Sequence, residues 1–326
     1  MSAATDTAAA HKNRIRLRVN VGLAVFLVLY VAIAFLQPNY LEPSGFTNFL
    51  RRAAPLVILA CGQIFVIVAG GFDLSMGSLV TLTVLGAAMA TGGDPAMTWP
   101  TIALLYAIGL CVGLVNGLVV AKLKVPSIIA TLGMLLALNG AALIWSGGSP
   151  RGALPENFRM FGRYLFRDVP LVGTLPLAVF VLLAFAGLAG WLLHGTVLGR
   201  QVFAVGDNPR AAELSGVAVD RIRVFAFVFS ALSAVTGGIM LGGFAGVSTG
   251  VGDGLELQAI AACVIGGALL LGGRGSVLGA VFGALSLFAL FTLLNLLGLP
   301  QPIRDAAQGV ILITAVALGA ARRRGR

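Results

Sequence analysis

Charge is what this chain has least of. Only 10% of its 326 residues are charged, against about 25% in soluble globular domains. Between Ala53 and Gly93 the single full charge at neutral pH is Asp73. Together with 58% hydrophobic residues and a mean hydropathy of +0.99, this scarcity excludes a water-soluble core of such size and points to a polytopic membrane protein. Histidine occurs twice, as His11 and His194, both beside apolar runs, and the three cysteines (Cys61, Cys111, Cys263) lie inside such runs. No disulfide framework or metal-ligand spacing follows from that pattern. Paired carboxylates, a histidine cluster and a nucleophile with a base are also missing, so there is no catalytic residue to name. Lysine occurs three times, at 12, 122 and 124, never after a glycine. The phosphate loop G-x-x-x-x-G-K-[ST] is therefore absent, and the chain cannot hold ATP in that way.

Long apolar runs, by contrast, are plentiful. A membrane span needs roughly 20 apolar residues, and ten candidates read at about 19–37, 53–72, 74–91, 99–121, 125–146, 169–193, 224–246, 257–273, 277–299 and 303–321. The expected fold is an all-α polytopic membrane protein of about ten transmembrane helices, with broken or short helices near 70–78 and 246–258. Forty-four glycines suit it, because small residues let such helices approach closely. The first span reads as an uncleaved signal-anchor, since its apolar run exceeds that of a signal peptide and no small-residue cleavage site follows.

Basic residues set the orientation. With ten spans and the N-terminus inside, fifteen lysines and arginines fall on one side and seven on the other, namely Arg51, Arg52, Arg151, Arg159, Arg163, Arg167 and Arg304. Both termini are therefore expected in the cytoplasm. The organisation follows as a cytoplasmic tail at 1–18, one transmembrane domain at 19–321 and a basic cytoplasmic tail at 322–326. A nucleic-acid partner is excluded, because the bases lie between apolar segments instead of forming one surface. Two connections are long: residues 147–168 outside, whose arginines and aromatics suggest an interfacial helix or docking surface, and residues 194–223 inside.

Within the inner loop, "GDNPRAAELSG" reads as a complete short helix. Asn208 suits the N-cap, Pro209 the first helical position and Gly216 the position after the C-cap. The readings are a docking element for a cytoplasmic partner, built from Asn208, Pro209, Arg210, Ala211, Ala212, Glu213 and Leu214, or a helix that merely shortens a loop.

Asp73 stands in "GGFDLSMGS". Gly70 and Gly71 end the preceding apolar run, and a carboxylate one residue before a helical stretch can accept backbone N–H bonds and meet the positive end of the helix dipole. Irregular backbone at membrane depth is tolerated only when buried in protein or lining a water-filled cavity. Asp73 reads first as a structural cap beside a solute pathway, with direct solute contact or an ion pair with Arg274 left open. Ser75 and Ser78 can satisfy nearby backbone. Other polar residues in the apolar runs are Gln63, Asn116, Asn139, Gln258 and Asn295. Each can be interhelical glue or line a passage for a neutral polyol. Gln63 and Asn116 are the preferred pathway residues, with Asp73, Ser75 and Asn139 beside them.

Four stretches in order, "GGFDLSMGSLVTL", "GLVNGLVVAKLKVPSIIATLGMLLALNGAALIWSGGSP", "GRQVFAVGDNPRAAELSGVAVDRIR" and "LELQAIAACVIGGALLLGGRGSVLGAVFGALSLFALFTLLNLLG", resemble the permease subunits of bacterial monosaccharide ABC importers of the ribose/xylose/galactose type. The resemblance runs from about residue 50 to 320. It implies a multi-pass protein of the bacterial inner membrane, paired with a second permease copy as a homodimer or heterodimer. It also implies two cytoplasmic modules that bind ATP and Mg, leaving this chain without a cofactor, and a periplasmic or lipid-anchored sugar-binding protein. The helix at 209–215 would couple to the ATPase. A secondary, ion-coupled transporter of a small polar solute is the alternative; it would want intramembrane acids or histidines as proton relays, and Asp73 stands alone.

Overall fold

The computed structural model describes residues 21–300 and, beyond them, residues 302, 303, 306, 307, 309, 310 and 313. The two tails at 1–18 and 322–326, and most of the tenth expected span, lie outside the described residues. Twelve α-helices are formed among described residues 21–300: α1 (Val21–Leu36), α2 (Pro43–Val68), α3 (Met76–Thr91), α4 (Thr98–Ala121), α5 (Ser127–Ser146), α6 (Glu156–Arg163), α7 (Leu177–Gly190), α8 (Val197–Asp207), α9 (Pro209–Leu214), α10 (Val219–Ala245), α11 (Leu255–Ile265) and α12 (Val277–Leu296). Six helical stretches are long and apolar enough to cross a membrane, and α1, α3 and α11 are shorter apolar helices.

Nine of the ten expected stretches thus carry an apolar helix, six of them long enough to span, and the tenth lies mostly outside the described residues. The expected breaks are present: non-helical chain at 69–75 separates α2 from α3, and at 246–254 separates α10 from α11. The 169–193 stretch turns helical only at Leu177, because its first residues form a hairpin. That hairpin pairs β1 (Leu165–Val169) antiparallel with β2 (Gly173–Pro176), a strand element in a fold expected to be all helix.

Helix α10 is the axis of the assembly. Its 27 residues span about 40 Å at 1.5 Å per residue, and its middle is buried on every side. Glycines make this possible. On α4, Gly109, Gly113 and Gly117 recur every fourth residue and form one stripe facing α10. A Cβ on Gly113 would stand 2.6 Å from the Val228 Cα, and one on Gly117 would stand 2.7 Å from the Val224 Cα. The two backbones therefore lie in contact, the arrangement that replaces the hydrophobic effect as the source of helix association in lipid. Around α10, helix α2 is buried over most of its length, and α3 is almost wholly enclosed.

Small residues on α4 should accordingly be essential where those on α5 are not. Gly113→Val is expected to cost about 2 kcal/mol by overpacking and to lower the folded yield in detergent. Gly133→Ala, where the added Cβ meets nothing within 4 Å, should leave yield and thermal midpoint unchanged or slightly raised. Equal behaviour of the two variants in fluorescence-detected size exclusion would show that the stripe does not hold α4 to α10.

Candidate functional site

Where α2 ends, the chain must find partners for freed backbone groups inside an apolar bundle. It closes first on itself: the Gly70 N–H donates to the Ile67 carbonyl (2.9 Å) and the Gly71 N–H to the Val66 carbonyl (2.8 Å), with Gly70 left-handed at φ 86°. The next residue leans on α5. The Phe72 N–H donates to Ser127 Oγ (3.1 Å), and the Phe72 carbonyl accepts from Thr131 Oγ1 (3.4 Å).

Asp73 follows, 1% exposed. Its Oδ1 accepts from the Ser75 N–H (3.0 Å) and from Ser75 Oγ (2.6 Å), and its Oδ2 accepts from Ser230 Oγ on α10 (2.6 Å). Ser75 Oγ in turn accepts from Asn116 Nδ2 on α4 (2.9 Å). Of the residues selected from sequence, Asp73, Ser75 and Asn116 are therefore brought together in one chain of hydrogen bonds, and Ser230 completes it. The carboxylate's backbone partner lies in front of α3, which starts at Met76 with Ser75 at its N-cap position and no side-chain cap of its own. The Arg274 ion pair does not form: both Asp73 oxygens are occupied by hydroxyl and backbone donors. The two ion pairs among the described residues are Lys122–Asp220 and Arg210–Glu213.

Gln63 is fully buried on α2, and neither its amide nitrogen nor its oxygen has a protein partner. Asn139 is half-buried on α5 and takes no part in the Asp73 network. Further along α10, Ser233 Oγ donates to the Ser230 carbonyl (2.6 Å), and Thr236 meets the Tyr106 hydroxyl (3.0 Å). A polar seam thus runs through the apolar core beside α3. The second break joins it, since the Gly252 N–H donates to Thr81 Oγ1 of α3 (3.0 Å).

One end of the seam meets the loop between α7 and α10. Here α9 has the caps its sequence calls for: the Asn208 side chain accepts from the Ala211 N–H (3.0 Å), Pro209 opens the helix, and Gly216 is left-handed at φ 82°. Ala212 is buried, whereas Arg210, Ala211, Glu213 and Leu214 are exposed. Helix α8, in a stretch expected only to connect spans, precedes it with Thr196 as N-cap (Gly199 N–H to Thr196 Oγ1, 3.2 Å).

Just before α9 three glycine turns converge. The Gly273 N–H donates to the Val68 carbonyl at the end of α2 (2.9 Å). A Cβ on Gly206 would collide with that same carbonyl, and one on Gly272 would stand 2.8 Å from the Gly206 carbonyl and 3.0 Å from the Gly70 Cα. The "GGRGS" turn, the last turn of α8 and the "GGFDLS" break are in backbone contact. Ser230 and Gly206 were missed from sequence because each acts through a partner far along the chain. Beside the junction opens a cavity of about 500 Å³, lined by Gly70, Gly71, Lys124, Ser127, Arg210 and Arg223 among others.

The chain matches the family described as "Branched-chain amino acid transport system / permease component" over residues 45–316. It is 34% identical over 297 residues to the ribose import permease protein RbsC of Bacillus subtilis (strain 168), covering 89% of each chain. Against the autoinducer 2 import system permease protein LsrC of Klebsiella pneumoniae it is 37% identical over 293 residues, covering 90% of this chain and 83% of the relative. The LsrC of Escherichia coli O157:H7 is 35% identical over 295 residues, with 90% and 84% covered. No solved structure matches. With six helical stretches among the described residues long and apolar enough to cross a membrane and a family match over most of its length, the chain belongs to the branched-chain amino acid transport system / permease component family.

Proposed function

We propose that the chain forms the translocation pathway for a pentose, hexose or related polyol and works by alternating access, paired with a second permease copy and driven by two cytoplasmic ATP-binding modules. The solute class is inferred from the relatives named for ribose and autoinducer 2 import. One observation carries the coupling half of the reading: the backbone junction of Gly206 with Val68 and Gly273. Force applied to α9 reaches the end of α2 there without passing through a flexible side chain. The α2–α3 break, held by Asp73 to Ser230 on α10, is the next element in line. Asn208 to Leu214 are then the coupling residues. Asp73 is the latch that keeps the break registered against α10, and no solute contact is assigned to it.

The pathway residues are assigned on different grounds. A buried amide without a partner costs on the order of 1–3 kcal/mol, so the enclosed Gln63 is an expense unless another state uses it. Hydroxyls of a neutral sugar supply the donors and acceptors that an amide needs. Gln63 is placed on the pathway, with Asn116 and Ser75 beside it and Asn139 further out. The cavity at the α9 end would serve as its cytoplasmic mouth.

Three outcomes are expected. Gln63→Leu should leave thermal stability unchanged or raised, since it removes orphaned polar atoms, while sugar uptake by the complex falls at least tenfold. If uptake is normal, Gln63 is off the pathway. Asp73→Asn should keep most of the uptake, because the amide oxygen can still accept from Ser75 while its NH2 donates to Ser230. Asp73→Leu strands three buried donors and should cost about 3 kcal/mol or more, read as lost folded yield. Equal loss of uptake in both, at normal yield, would instead assign a charge-dependent role. The purified chain alone should hydrolyse no ATP, and a cysteine at Ala211 should cross-link to the co-expressed ATPase subunit, with Glu213→Lys weakening that association. Normal uptake by Glu213→Lys together with no cross-link would move the coupling site elsewhere.

A further inference from the structure

Helix α2 ends at the α9 junction, so its first half lies toward the opposite end of the bundle. That half carries the only charged residues of the helix, Arg51 and Arg52. Arginine within a helix fit to cross a membrane is costly and is kept where it finds a partner. Neither arginine is in an ion pair; the two ion pairs among the described residues lie at the α9 end. Arg52 is exposed, whereas Arg51 is half-buried with its Nε enclosed and no acceptor for it in the chain. An enclosed donor without an acceptor destabilises the fold, and an anion bound beside it would remove that cost.

Both arginines line an open pocket of about 610 Å³ between the 3-10 turn Pro38–Leu41, α2 and the end of α12. Its lining is amide on one side, from Gln37, Asn39 and Asn48, and aromatic on the other, from Phe288 and Phe291. No carboxylate is among its described lining residues. The walls are braced. Tyr30 donates its hydroxyl to the Tyr40 carbonyl (2.8 Å), and Asn48 Nδ2 donates to the Ser44 carbonyl (2.9 Å). A Cβ on Gly45 would collide with the Asn39 carbonyl, so the turn lies directly on the start of α2. Phe49 of α2 meets Phe288 of α12 edge to face, with ring centres 5.2 Å apart. Phe35, Leu36, Leu41 and Leu297 nearby in the chain are exposed, an apolar surface suited to acyl chains.

We propose that this pocket holds the headgroup of an anionic phospholipid, with its phosphate diester on Arg51 and Arg52. Guanidinium groups bind phosphate through paired, charge-assisted hydrogen bonds, and basic pockets between membrane helices take phospholipid head groups. The lining also selects among lipids. A choline or ethanolamine headgroup would bring an ammonium beside two guanidiniums with no carboxylate to offset it, and such a mismatch rejects the wrong ligand. The glycerol headgroup of phosphatidylglycerol adds no charge, and its hydroxyls match the donors and acceptors of the amides. Phosphatidylglycerol is therefore the occupant. Bound there, it ties the α1–α2 connection to the end of α12, whichever solute the chain carries.

The test uses the full-length chain, purified in detergent and stripped of lipid. It is titrated with phosphatidylglycerol, phosphatidylcholine or inorganic phosphate, and followed by native mass spectrometry and thermal midpoint. Phosphatidylglycerol should bind about tenfold more tightly than phosphatidylcholine, the effect of one charge-assisted hydrogen bond, and should raise the midpoint. Inorganic phosphate at the same concentration should not raise it. Arg51→Gln/Arg52→Gln should abolish the preference between the two lipids. Arg163→Gln/Arg167→Gln, on the neighbouring depression that Arg51 also lines, should keep it. Equal binding of the two lipids by the unaltered chain would overturn the proposal, as would an unchanged preference in the Arg51/Arg52 variant. A midpoint raised equally by inorganic phosphate would make the pocket a free-anion site and remove the lipid. An equal loss in the Arg163/Arg167 variant would assign the preference to the overall charge of this end, which also overturns the site. If the double variant does not fold, Arg52→Gln alone, at an exposed position, is read in its place: a reduced preference supports the site and an unchanged one overturns it.

Discussion

Everything in this fold answers to one constraint: backbone freed inside an apolar bundle must be bonded from within the protein. The bond between Ser230 Oγ and Asp73 Oδ2 is where that constraint is met most fully. It fixes the break after α2 to the central helix, while Ser75, Asn116, Ser127 and Thr131 secure the break to α4 and α5. A purely hydrophobic sequence could not interrupt a helix here without stranding peptide groups at a cost of several kcal/mol. The lone acid in forty residues is therefore the condition on which this helix break is held inside the bundle.

The same logic explains why the glycines are spaced as they are. α4 must lie close enough for Asn116 to reach Ser75, and the stripe Gly109, Gly113 and Gly117 sets that distance. Packing and polar recognition are thus one problem in this core. Lengthening a side chain on the stripe would move the amide as well as the helix. Gln63, enclosed without a partner, contrasts with the bonded Asp73, Ser75, Asn116 and Ser230.

Much of this was legible in the sequence where the signal is local. Asn208, Pro209 and Gly216 announced α9 because capping is decided within a few residues, and Gly70–Gly71 announced the break after α2. Asp73, Ser75 and Asn116 stood out as polar residues in apolar runs. What could not be read was set by distance along the chain. Ser230 is one serine among several until the fold brings it to Asp73, and Gly206 is unremarkable until Val68 is seen behind it. The hairpin at 165–176 straddled the outer loop at 147–168 and the run at 169–193 counted as membrane span, since alternation over four or five residues is weak evidence beside neighbouring apolar chain. The spacing of Gly109, Gly113 and Gly117 was legible and was passed over; it is the small-residue pattern that membrane helices use for contact.

The separation of 157 residues between Ser230 and Asp73 has a consequence for how the protein is made. Chains emerge at about 5–20 residues per second, so the break between α2 and α3 enters the bilayer on the order of ten seconds before its partner on α10 has been synthesised. Throughout that interval the Ser230 hydroxyl is not there to donate to Asp73 Oδ2. Insertion must shelter it, either within the translocation machinery or by delaying the release of α2 and α3 into lipid until α10 arrives. The order in which helices leave the translocon is thus constrained by a single hydroxyl.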